Sequence, residues 1–318
     1  MKKQLFFCLL MLLTLVTNAK IYVSNEKDNS ISILDGKNFK LLETIKVGQR
    51  PRGVILSQDQ KRLYICVSDD DKIEVLDLET LKIVDILPSG PDPELMEISS
   101  DGRFIYVSNE DDNLITVIDV EAKKITAEIE VGVEPEGMAI SPDDKILVNT
   151  SETTNMAHFI NLDSHLIYGN VLVESRPRYA KFSPDGKFVW VSSEIGGIVS
   201  IIDVKTLKIV KKIGFAINGV EKELIQPVGI AYSKKGLVFV ALGPSNRLAV
   251  IDAKTLKVIK YILVGQRVWQ LAFNKDESIL ASTNGVSNDI SIIDVEKLKA
   301  IKSIAVGRYP WGIAYADD

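Results

Sequence analysis

From Gly102 to Gly137 the chain reads GRFIYVSNEDDNLITVIDVEAKKITAEIEVGVEPEG. Apolar residues come in short bursts or in strict alternation with polar ones. Asn, Asp, Gly and Pro bound every burst. A period of two with turn residues at each end predicts strands, here an aromatic-rich FIYVS, then LITVIDV, then ITAEIEV. No stretch of helical period interrupts them.

The same unit recurs along the chain. The aspartate that ends its second strand appears at Asp35, Asp77 and Asp119, is replaced by Asn161, and returns at Asp203, Asp252 and Asp294. Successive copies lie 42 residues apart, except for one interval of 49 between Asp203 and Asp252. Seven copies at this period fit four-stranded propeller blades. The ends complement each other. The chain stops at Ala316-Asp317-Asp318, where other copies continue through SPDD or SPDG into a YVS strand, and that strand stands near the start as Ile21–Asn25. The prediction is an all-β fold, a seven-bladed β-propeller of four-stranded blades. Its ring closes by pairing the N-terminal strands with the C-terminal strand, which removes exposed sheet edges. The propeller spans residues 20–318.

Tyr22-Val23-Ser24-Asn25 and Tyr106-Val107-Ser108-Asn109, with the SPDG turn at Ser183–Gly186 and the VIDV and IIDV strands, resemble the signature of the YVTN-repeat family of β-propellers. The resemblance covers essentially all of the chain after residue 19. Within that family the chain resembles the secreted seven-blade proteins associated with PQQ-dependent alcohol catabolism. That resemblance implies a non-enzymatic binding or scaffold protein working beside a periplasmic dehydrogenase or cytochrome, with no cofactor of its own.

Composition narrows the classes. There are 38 basic and 43 acidic residues, a net charge of −5. This argues against nucleic acid or an anionic membrane as partner, since both require a basic surface. Residues 1–19 read as a signal peptide: Lys2 and Lys3, an apolar run from Leu5 to Val16, then Thr17-Asn18-Ala19 as a cleavage site. The run is too short for a spanning helix and no second one follows. Cleavage near Ala19 places the mature chain in the periplasm or outside the cell. Cys8 would leave with the leader, so Cys66 would stand alone in LYICV, where a buried apolar role is expected.

Turns can be assigned from propeller geometry, with strands a to d running outward. The a–b and c–d turns share one face, and the marker aspartates cap the c–d turns. The b–c and d–a connections share the other face, where the sequence varies most. The d–a connections include Arg50-Pro51-Arg52, Asp92-Pro93-Glu94, Glu134-Pro135-Glu136 and Arg176-Pro177-Arg178, and later Gln226-Pro227-Val228, Val268-Trp269 and Pro310-Trp311. The residues flanking each proline are two apart and should point the same way on an extended chain. Arg52, Glu94, Glu136, Arg178, Val228, Trp269 and Trp311 then ring the mouth of the central channel.

The candidate site is therefore Arg50, Arg52, Asp92, Glu94, Glu134, Glu136, Arg176, Arg178, Trp269 and Trp311. Arginine offers a planar fork to carboxylates and phosphates, which makes a small anionic ligand or a partner protein the expected occupant. One tryptophan could lie against Arg52 as a cation–π pair. The same residues also allow a purely structural reading, with Arg52 bridging to Glu94 and Arg178 to Glu136 between neighbouring blades. Asp92, Glu94, Glu134 and Glu136 could instead hold a divalent cation for a lactonase-like hydrolase, the rival function. The acids of the b–c turns, Asp69–Asp71 and Glu110–Asp112, read as solvated hairpin tips. The longer interval falls in Gly214–Gln226, on the mouth face. His158 and His165, with six residues between them and no cysteine nearby, lie off the mouth and carry little metal signal, and no C-x-x-C-H, G-x-S-x-G or Walker pattern occurs.

Overall fold

The computed structural model describes residues 19–317. The leader expected over residues 1–19 thus lies outside the described residues except for Ala19, and Cys8 lies outside them too. Seven four-stranded antiparallel sheets form a β-propeller. In six of them the order across the sheet is the order along the chain. The seventh joins the C-terminal strand Pro310–Ala316 to Lys20–Asn25, Ser30–Asp35 and Leu41–Lys46. Lys20 pairs with Ala316 and Tyr22 with Ala314, so the ring closes on the strand that the sequence lacks at its start.

Burial follows the layers. Strands b and c are almost wholly buried, as in FIYVSN and LITVID, because both of their faces meet neighbouring blades. The outermost strands expose alternate residues, as in KITAEIE. Aromatic and branched side chains fill the spaces between blades, among them Trp190, Phe159, Phe239 and Tyr22. Cys66 lies in one of these layers with Met96 and Ile105, and burial pushes its thiol well above the usual range.

The seven markers cap their turns. Asp35 accepts from the amides of Lys37 and Asn38, Asp203 from that of Thr206, and Asn161 from those of Asp163 and Ser164. An amide oxygen serves as well as a carboxylate there, which explains the one exchange. The seven extra residues form a d–a loop with a single 3-10 turn, Lys222–Leu224. Phe215 and Ile225 from this loop pack against Trp190 and Ile230. The loop shortens the inner strand that follows to Ile230–Tyr232.

Two local features set the mouth. The residue before each proline position adopts a left-handed conformation: φ is 51° at Arg50, 49° at Asp92, 58° at Glu134 and 58° at Arg176. The extended geometry expected there is therefore replaced by a tight turn. Asn29, Asn113 and Asn155 hold the turns of Arg50, Glu134 and Arg176 by accepting the backbone N–H. A β-bulge then follows in the pairing of strands a and b, at Pro51/Val54, Pro93/Met96, Pro135/Met138, Pro177/Tyr179 and Val268/Leu271. Bulges re-aim side chains, and these fall on Arg52, Glu94, Glu136, Arg178 and Trp269.

Candidate functional site: the charged channel mouth

The mouth residues are pinned by hydroxyls of the YVSN strands. Ser24 donates to the carbonyl of Arg52 at 2.7 Å, Ser108 to that of Glu136 at 2.8 Å, and Thr283 to that of Trp311 at 2.7 Å. Each bond runs from strand b of one blade to strand a of the next, so the blades are stapled where the charged side chains emerge. Gly53 allows the close approach, since a Cβ there would lie 2.5 Å from the carbonyl oxygen of Glu94.

The structure brings the expected charges together, and pairs them. Arg52 meets Glu94 at 2.8 Å and Glu26 at 3.1 Å. Arg178 meets Glu136 at 2.5 Å and also Glu152. Arg50 binds Asp69 at 2.6 Å and also Asp92. Arg176 binds Glu152 at 2.6 Å and lies 3.4 Å from Glu194. Arg267, in the sixth d–a connection, binds Glu194 at 2.7 Å. The tryptophans lie against these cations. Arg52 is 4.8 Å from the Trp311 ring, Arg178 is 5.6 Å and Arg267 4.4 Å from the Trp269 ring. Val228 alone leaves the ring pattern: it is buried with Phe239 and Val268 between blades.

The carboxylates outnumber the guanidiniums because a second set of acids enters. Glu26, Glu110, Glu152 and Glu194 each follow the last residue of a strand b, at multiples of the 42-residue period. The turn sequence alone predicts a solvated hairpin tip for Glu110. Its side chain instead turns into the mouth, since the end of strand b abuts the d–a turn. The regular recurrence of Glu at that position was the available signal.

Electrostatics mark the surplus. Burial, with Glu94 and Glu152 nearby, pushes Glu110 up to about 7, and burial with Glu94 pushes Asp92 up to about 6. Glu136 is held well above the carboxylate range, chiefly by burial. Burial also opposes the charge on Glu152, but a hydrogen bond from Glu136 and the cations Arg178 and Arg176 outweigh it and lower its pKa. No ion pair reaches Glu110 or Glu134 among the described residues; Thr153 donates a hydrogen bond to Glu134. Ligand atoms of Asp92, Glu94 and Glu110 lie within 4.8 Å of one another, and so do those of Glu110, Glu134 and Glu152. Either triad could hold a divalent cation. The buried indole N–H of Trp311 has no acceptor among the described residues.

The histidines stay outside. His158 is buried, accepts from the Gly132 amide at 3.0 Å and contacts Asn170 at 2.7 Å, and burial lowers its pKa. It is a neutral structural group. His165 occupies a c–d turn with φ 57°.

With this geometry in view, comparison with known proteins places the fold. Residues 34–145 match the YNCE-like beta-propeller family model. The chain is a seven-bladed β-propeller, and that stretch of it is similar to the YNCE-like propellers. Hydrazine synthase of Kuenenia stuttgartiensis superposes with a TM-score of 0.78 at 21% identity, over 87% of this chain and 92% of that one. A protein of unknown function from Desulfotomaculum acetoxidans gives 0.81 at 18% identity, over 95% and 99%. A candidate 6-phosphogluconolactonase from Bacteroides fragilis gives 0.80 at 18% identity, over 96% and 99%. At such identities the likeness concerns the fold, which many functions share. No curated protein matches this chain in sequence.

Proposed function

We propose that this chain is a non-enzymatic binding propeller that docks a partner protein through the mouth face, taking a basic side chain of that partner beside Glu110. The observation that carries the reading is Glu110 itself. It is a half-buried carboxyl, crowded by other acids and left without a cation while every mouth arginine is committed to carboxylates. A small anion would have to displace an acid from an arginine. A Lys or Arg of a partner would relieve the crowding and release a proton from Glu110. Apolar side chains stand exposed on the same face at Val133, Ile195, Val286 and Tyr309, with Ile195 66% exposed. They would provide the apolar contact that surrounds a docked charge.

The resemblance to PQQ-associated propellers points to the class of partner: a periplasmic dehydrogenase or cytochrome with a basic docking surface. It also points to export of the chain after removal of residues 1–19. The test uses the purified chain and a basic c-type cytochrome at low ionic strength. Saturable binding that weakens with salt and is lost in the Glu110→Gln, Glu134→Gln double variant supports the reading. Equal binding by that variant, or no binding at low salt, overturns it.

The two carboxylate triads favour one second reading, a divalent cation that polarises an ester carbonyl in a lactonase-like reaction. Calcium titration and lactone turnover decide between the two: tight calcium binding with turnover would replace the docking reading.

A further inference from the structure

The other end of the channel holds a feature that the mouth does not explain. Three residues beyond each mouth position, the inner strands carry Ile55, Glu97, Ala139, Lys181, Ala231, Ala272 and Ala314. Four alanines at one level leave space that larger side chains would fill. One acid and one base break the apolar run, two blades apart with Ala139 between them. A cavity of about 320 Å³ opens there, lined by Glu97, Ala139, Lys181, Phe182, Tyr232 and others. Pro142, Pro184 and Lys234 of the a–b turns also border it, so it belongs to the face opposite the charged mouth.

Glu97 and Lys181 sense one another, yet they form no ion pair within 4.0 Å. Neither side chain has a hydrogen-bond or ion-pair partner among the described residues, although both are half-buried. Burial raises the pKa of Glu97. For Lys181 burial works against the charge, and Tyr179 and Glu97 outweigh it. Charged groups removed from water are ordinarily paired. Here Glu97 and Lys181 share one cavity with a gap between them, while Glu277, which lines it together with Lys234, accepts from the Ser233 hydroxyl and the Lys234 amide.

We propose that this cavity is a second binding site, built for a small zwitterion whose carboxylate binds Lys181 and whose ammonium binds Glu97, with Phe182 and Tyr232 covering the carbon chain between them. A cavity of this volume fits a ligand of amino-acid size. The gap between the two charges sets the length of chain preferred. A ligand with only one charge would leave the other protein group unpaired and would bind weakly. The site is independent of the mouth reading.

The test is calorimetric titration of the full chain with the ω-amino acids glycine, β-alanine, 4-aminobutyrate and 5-aminopentanoate, with butyrate and butylamine as single-charge controls. One chain length should bind best, and about tenfold or more tighter than either control. Glu97→Gln and Lys181→Met should each weaken it by a similar factor. Ala139→Leu should abolish it by filling the cavity, and Glu110→Gln at the mouth should leave it unchanged. Three results overturn the proposal: no saturable binding up to about 1 mM, controls that match the zwitterion, or Glu97 and Lys181 variants that bind like the native chain.

Discussion

Replacing Glu110 by Gln gives the sharpest test of the mouth electrostatics. In the folded protein this carboxyl is pushed from 4.5 to about 7. Between those values the native state keeps a proton that the unfolded chain has lost. Unfolding then releases a proton, so native stability falls as pH rises through this window and levels off above 7. The full shift corresponds to about 3 kcal/mol. Solvent reaches part of the group and screens the effect, so about 1.5 kcal/mol is the expected size. Glutamine is neutral at every pH. The variant should match the native chain near pH 4.5 and exceed it by about that amount at pH 8. Asp92, pushed to about 6, leaves a smaller slope of the same sign in both proteins. Urea unfolding at the two pH values measures the difference. If the variant were the less stable protein at pH 8, or the gap were the same at both pH values, the account of Glu110 as an unpaired acid would be wrong.

Other substitutions test the scaffold. Arg178→Ala leaves the buried Glu136 without a cation and takes one cation each from Glu152 and Glu194, which keep Arg176 and Arg267, and should cost about 3–5 kcal/mol in denaturant unfolding; adding Glu136→Gln should recover part of it. Ser24→Ala removes a buried hydroxyl that donates to Arg52 and accepts from the Gly312 amide, for a loss of about 1–2 kcal/mol in the same assay. Cys66 should resist alkylation in the native protein and react fully once unfolded, as read by intact mass, because burial keeps its thiol protonated.

The fold was legible because its signals are local and periodic. Strand alternation, the marker aspartates and the complementary ends each need only neighbouring residues or a constant spacing to be seen. The pairs Arg52–Glu94 and Glu136–Arg178 were legible for the same reason, since residues 42 apart occupy equivalent places in adjacent blades. Two things were hidden. The left-handed turn at Arg50, Asp92, Glu134 and Arg176 runs against the extended preference of a residue before proline. The acids after strand b, Glu110 and Glu152 above all, enter the site through contact between two different turns, and a repeat reveals each turn without revealing how the two abut. Val228 fell outside the mouth because the insertion before it changes the path into its strand.

Arg52 occupies an unusual position along the seam of the ring. Its guanidinium pairs with Glu26 and lies on Trp311, while its carbonyl takes the hydroxyl of Ser24. Glu26 follows the first strand of the described chain and Trp311 belongs to the last. During synthesis Glu26 emerges early and Trp311 nearly 300 residues later. The charged mouth is thus the last part of the molecule to mature, and its arginine is completed only when the two ends of the chain have found each other. Any truncation that removes Pro310–Ala316 would open the ring and dismantle the mouth in one event, so an intact mouth reports that the two end strands have paired.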